Sequence, residues 1–168
     1  MARVSVEIDG LAEVRRALEA LPDELQRAGG TAVRAGMRAA GQVVLAAMAA
    51  NIDAIVAAPN KDGRMVSTGL LRQSLRVRRR PMLAGKKGET YLVGPVNARY
   101  PNGERVQAVA SMLEYGTGKR PPMPWAEPAY QATRAQAMQM MVETVRARLA
   151  RIIARYERQR ARGGGGAG

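Results

Sequence analysis

The sequence predicts an α+β fold: a small antiparallel β-sheet packed by a long N-terminal helical region and a long C-terminal helix. Three observations point there. Apolar residues recur at helical spacing from Leu11 to about residue 57. Two short segments that read as strands, an alternating one over 74–80 and an apolar one over 89–96, flank a basic loop that holds Gly85 and Gly88. From Glu127 or Pro128 to about Arg160 the apolar positions return to helical spacing without a break.

The elements follow in order. Val4, Val6 and Ile8 alternate with Arg3, Ser5 and Glu7, which predicts a short strand over 3–9 with one buried face. Asp9-Gly10 reads as a turn, with Asp9 placed to cap the next helix. Leu11, Val14, Leu18 and Leu21 then lie at helical spacing, and Pro22 ends that helix. Residues 23–57 read as one or two helices with a weak point at Gly29-Gly30. Val33, Met37, Ala40, Val44, Ala47 and Met48 form its apolar stripe, and Gly36 and Gly41 permit close packing. Pro59 to Gly63 closes the region.

Ser67-Thr68-Gly69 is a turn or helix cap, and "LLRQS" is one helical turn. Leu75 and Val77 alternate with Arg76 and Arg78, so 74–80 and 89–96 predict an antiparallel hairpin across the loop "PMLAGKKGE". Residues 97–106 are a loop, and 107–116 a short helix carrying Val109, Met112 and Leu113. In the last helix Met138, Val142, Val145, Leu149, Ile152 and Tyr156 form the packing stripe. Beside it runs a line of cations: Arg148, Arg151, Arg155, Arg158 and Arg162. Pro128 stands near the first turn, where its missing N–H costs nothing. The chain is expected to be one domain over 1–160, with a flexible glycine-rich tail over 161–168.

Composition narrows the function. The 168 residues include no Phe, one Trp and ten Met, and much of the apolar fraction is Ala. Small side chains bury little area each, at about 25 cal/mol per Å². A thin core and assembly with neighbours are therefore expected. There is no Cys and no His, which removes disulfides, thiol nucleophiles, Cys/His zinc sites and the commonest general base. The stretch "GTGKR" (116–120) resembles the end of a phosphate-binding loop, but Leu113 stands where that loop needs Gly, and Arg120 where it needs Ser or Thr. The acids are scattered without motif spacing. No enzyme and no cofactor are expected. The N-terminus has no signal-peptide h-region, and no uninterrupted apolar run approaches the roughly 18–20 residues of a membrane span. A soluble cytoplasmic protein without a membrane partner is the expectation.

The net charge of +13 is uneven. Residues 1–60 hold six basic against seven acidic residues, and residues 61–168 hold 21 basic against seven. A basic half of this kind suits a polyanionic partner. The arginine line has three readings: a solvated face, a docking face for an acidic protein, or contact with DNA phosphates. Arg suits either anion because its planar fork binds carboxylate or phosphate through two bonds. No sequence-reading DNA motif is present, so any DNA contact would be nonspecific.

The stretch "SMLEYGTGKRPPMPWAEPAY" (111–130) holds the only Trp and two of the five Tyr. It reads as a stiff corner in which Trp125 fills the core, as an ordered loop at a subunit interface, or as both. The interface reading assigns Glu114, Tyr115, Gly116, Thr117, Gly118, Pro124 and Trp125 to that surface.

Taken in order, these segments resemble a tailed-bacteriophage tail-component family, also described as neck or tail-completion proteins and related to the minor tail protein Z type. The resemblance rests on Thr68, Gly69, Leu71 and Ser74 as a T-G-x-L-x-x-S element, and on Glu114, Tyr115, Gly116 and Thr117 as an E-[YF]-G-T element. Pro124, Trp125, Pro128 and Ala129 follow on the way into the last helix. The opening "VEIDGLAEVRRALEALPDEL" is also similar. The likeness runs from residue 4 to about residue 150. It implies a virion structural protein with no catalytic residues, forming a homo-oligomeric ring between the head's portal side and the tail tube. Its neighbours would be head-closure, tail-terminator or tail-tube proteins, and assembly would take place in the bacterial host cytoplasm. The arginine line and the glycine tail are not part of the family pattern. The competing reading is a nonspecific nucleic-acid-binding protein that uses the basic C-terminal helix.

Overall fold

The computed structural model describes residues 9–19, 21, 23–57, 68–80 and 89–163. Five helices and one two-stranded sheet occur among them, in the order α1 (Asp9–Glu19), α2 (Asp23–Ala57), α3 (Leu70–Ser74), β1 (Leu75–Arg80), β2 (Thr90–Pro95), α4 (Val106–Tyr115) and α5 (Ala126–Gly163). The α+β expectation holds. The strand expected over 3–9 lies outside the described residues, apart from Asp9; of the flexible tail expected over 161–168, residues 161–163 instead continue α5, and 164–168 lie outside the described residues. Asp9 begins α1 together with Gly10, where a turn was expected. The described chain falls into two compact units: Met1–Ala39 with Met138–Gly168, and Ala40–Ala137.

The first unit is helical. Its interior is formed by Val14 of α1, Ala32 of α2, and Met141, Val142, Val145 and Leu149 of α5. Glycine governs how closely these helices approach. A Cβ on Gly29 would stand 2.9 Å from methyl groups of both Leu18 and Leu21. This explains why Gly29-Gly30 does not break the helix. α2 is continuous, and the glycine serves as a seat for the end of α1. Gly36 is tighter still: its Cβ would meet Val145 Cγ2 at 2.6 Å and the Met141 carbonyl oxygen at 2.9 Å. The buried line in this half of α2 is Gly29, Ala32 and Gly36, so the predicted stripe through Val33 and Met37 is one position off. The α5 stripe stands as expected, with Met138, Ile152 and Tyr156 half-buried around the three central residues. Glu13 and Arg146 form an exposed ion pair between α1 and α5.

The second unit holds the sheet. β1 and β2 pair antiparallel, with Leu75 opposite Pro95, Val77 opposite Val93 and Arg80 opposite Thr90. Alternation puts Leu75 and Val77 on one face, against α2, where a Cβ on Gly41 would come within 2.6 Å of Val77. The core gathers Val44, Met48, Ala49 and Ile52 of α2, Leu71 and Leu75, Val106 and Ala110 of α4, and Trp125, Ala129 and Ala137. Gly69 precedes α3 in the left-handed region at φ 69°, and Thr68 Oγ1 accepts from the Leu70 N–H at 3.4 Å. Asp53 of α2 pairs with Arg72 of α3. In α4 the buried positions are Val106, Ala110 and Glu114, whereas Met112 is exposed.

By length and composition, α2 between Arg27 and Val56 is apolar enough to cross a membrane, although the sequence shows no uninterrupted apolar run of that size. Alanine supplies much of that character, and Val44, Met48 and Ile52 from the same stretch are packed inside the second unit.

Two glycines of one helix should respond in opposite ways. A Cβ on Gly30 would meet only the guanidinium end of Arg34, at 3.6 Å. Gly30→Ala should stabilise by up to about 1 kcal/mol through helix propensity. Gly36→Ala should instead destabilise by about 1–3 kcal/mol, because a backbone carbonyl blocks the added methyl. Thermal melts of the two variants check this; a higher melting temperature for Gly36→Ala would contradict the packing.

Candidate functional site

The corner between α4 and α5 is built around one carboxylate. Glu114 lies in the last turn of α4 with a relative exposure of 8%. Its own helix disfavours a negative charge there, because the carbonyl end of the dipole is nearby. The start of α5 favours it. Glu114 Oε2 accepts the Trp125 and Ala126 N–H groups at 2.8 Å each, and Oε1 accepts the Glu127 N–H at 2.9 Å. A helix leaves its first four N–H groups without intrahelical partners. Here three go to Glu114, and the fourth position is Pro128, which has no N–H. One side chain and one proline thus complete the N-terminus of a 38-residue helix. Burial pushes the Glu114 carboxyl up, but the N–H donors of Ala126, Glu127 and Trp125 outweigh it and hold the pKa below the ordinary glutamate value.

Trp125 fixes the same corner from inside. The indole is buried, and its Nε1–H donates to the Ala110 carbonyl at 3.2 Å. Its own carbonyl accepts from Asn51 Nδ2 of α2 at 3.0 Å. The Met123 N–H donates to the Leu113 carbonyl at 2.8 Å, which brings the returning strand back onto α4.

The loop between these anchors is ordered by its backbone. Thr117 and Arg120 exchange two backbone hydrogen bonds, of 2.9 and 3.1 Å, around a tight turn at Gly118-Lys119. Gly116, at φ 74°, lies so close to the returning chain that a Cβ would meet Pro122 N at 2.7 Å and Arg120 O at 2.9 Å. The outer surface carries large apolar side chains beside the exposed Lys119 and Arg120. Tyr115 is 81% exposed, and Met112, Met123 and Tyr130 are also exposed. Next to Tyr115 and Tyr130 opens a groove whose floor includes Val44, Met48 and Val93.

The expected interface residues therefore separate into two groups. Tyr115, Thr117, Gly118 and Pro124 are exposed, and Gly116 is half-buried. Glu114 and Trp125 are interior, which corrects their assignment to a subunit surface: they hold the loop from within and leave no side chain for a neighbour. Sequence reasoning missed the capping role of Glu114 and the exposure of Met112 and Tyr130. An acid at the end of one helix, twelve residues before another helix with proline in its first turn, is the signal that was available. Arg148, Arg151, Arg155, Arg158 and Arg162 are all exposed, and among the described residues none pairs with a carboxylate.

No family model matches the chain, and no curated protein or solved structure matches it either.

Glu114→Gln should lower stability at neutral pH by roughly 1–3 kcal/mol, since an amide is uncharged and turns a donor toward donors. Because the folded pKa is depressed, the stabilisation from Glu114 is present above the unfolded glutamate pKa and disappears as pH falls through the folded value. The variant should accordingly lose less stability than the parent on acidification. Denaturant melts at pH 7 and in the acid range test both effects; parallel pH profiles would argue against the cap. Trp125→Ala should cost about 3–5 kcal/mol, read from the same melts.

Proposed function

We propose that the protein is a structural subunit of a tailed-bacteriophage virion: a neck, head–tail connector or tail-completion protein. In this reading it assembles with copies of itself into a ring that joins the portal side of the head to the tail tube. Head-closure, tail-terminator or tail-tube proteins are its neighbours, and the ring forms in the bacterial host cytoplasm. No cofactor or catalytic step is involved. The motif resemblance suggests the class. The observation that carries the reading is the exposed apolar surface on the rigid 115–124 loop. A chain with six Trp, Tyr and Phe residues in all has little reason to leave Tyr115 81% exposed on a doubly anchored loop unless another surface covers it. Order before binding lowers the entropy cost of docking.

Light scattering on the purified chain, alone and mixed with tail proteins of the same phage, tests this. A closed oligomer is expected in at least one of these samples. Tyr115→Asp combined with Met123→Asp should abolish it, with a melting temperature within a few degrees of the parent. A monomer under every condition would count against the ring.

A second reading, nonspecific nucleic-acid binding by α5, is favoured by the unpaired line Arg148, Arg151, Arg155, Arg158 and Arg162. It predicts a DNA complex that weakens steeply as salt rises. Changing Arg151, Arg155 and Arg158 to Glu should weaken that complex and reduce its salt dependence, and leave the melting temperature unchanged.

A further inference from the structure

The hairpin carries a second basic surface, in the other unit from the α5 line. Alternation along β1 places Arg76, Arg78 and Arg80 on the face opposite Leu75 and Val77. All three side chains are exposed. Their cross-strand partners on this face are Gly94, Leu92 and Thr90, none of them acidic. Leu92 is itself exposed, and no atom lies within 4 Å of where a Gly94 Cβ would stand, so the face is open. Among the described residues no carboxylate pairs with any of the three arginines. The contrast with the next residue is informative. Arg79 points to the other face and forms a two-bond pair with Glu89. Pairing occurs where an acid is supplied; on the open face none is.

Two of the three guanidinium groups are also held in place. Arg76 donates to the carbonyls of Gln73 and Leu75 at 2.7 Å each, and Arg78 donates to the Pro95 carbonyl at 3.2 Å. Each keeps further N–H donors of its five for a ligand. Alternate residues of a strand stand about 6.6 Å apart, a separation of the same order as that between successive phosphates on a nucleic-acid strand.

We infer that the open face of the β1–β2 hairpin binds the phosphate backbone of nucleic acid, without sequence preference, through Arg76, Arg78 and Arg80. Charge complementarity identifies the occupant: three unpaired, evenly spaced cations with no acid among them match a regular polyanion. The inference does not rest on ring assembly or on the α5 arginines.

The test is fluorescence anisotropy of a labelled duplex DNA titrated with the full chain, between about 50 and 200 mM salt. The variant is Arg76→Gln, Arg78→Gln, Arg80→Gln, with circular dichroism as the fold check. Three lost phosphate contacts should lower the slope of log affinity against log salt by about two to three, equally for two unrelated duplex sequences. Arg-to-Lys replacement at the same positions should restore most of the slope. If the triple Gln variant melts early, Arg78→Gln with Arg80→Gln is used, with a slope change of about two expected. A parallel variant, Arg151→Gln, Arg155→Gln and Arg158→Gln, should leave the hairpin's share intact. Unchanged slope in the hairpin variants overturns the proposal. So does hairpin-dependent binding of poly-glutamate with DNA binding unaffected, which would assign the face to an acidic protein.

Discussion

A single buried carboxylate organises the corner on which the second unit turns. Glu114 is charged, nearly inaccessible and, among the described residues, has no cationic partner; three backbone N–H groups compensate it. Such a charge is tolerated only when its hydrogen bonds are complete. That requirement fixes the distance between the end of α4 and the start of α5, and so the span the intervening loop must cover. Gly116, the Thr117–Arg120 turn and the prolines are then solutions to a closure problem already posed by the two helices. The exposed position of Tyr115 follows directly: it is the next residue after the carboxylate, and the helix period turns it outward.

Close backbone approach replaces side-chain bulk elsewhere. With no Phe and much Ala, area is buried by bringing elements together over glycine. Gly29 accepts Leu18 and Leu21, Gly36 accepts Val145, and Gly41 accepts Val77. Each lies on α2, so one helix provides three seats. Glycine lowers its helix propensity, and burial against these partners offsets the loss.

Periodicity made most of the architecture legible. The α5 stripe, the one-turn α3 and both strands could be located because each places apolar residues at its own repeat. What the pattern did not disclose depended on partners far along the chain. Gly29-Gly30 has the local character of a helix break, and only the arrival of α1 turns it into a packing site. Met112 has the composition of a core residue, yet α4 turns Ala110 and Glu114 inward instead. Glu114 was singled out as part of a motif, but its charge gave no hint that it would be buried, because its partners are backbone groups that any residue supplies. The arginines of β1 were visible as a run. Their division into one paired side chain and three unpaired ones needed the strand register and the position of Glu89.

The cap on α5 is also nearly local in sequence. Glu114 and the N–H groups it accepts are separated by 11 to 13 residues. Closing so short a loop has a small entropic cost, and contacts of low sequence separation are available early in folding. A long helix normally has a costly first turn, and here that turn is templated by a side chain that leaves the ribosome before it. The order of synthesis therefore allows this cap to be available when the first turn of α5 forms.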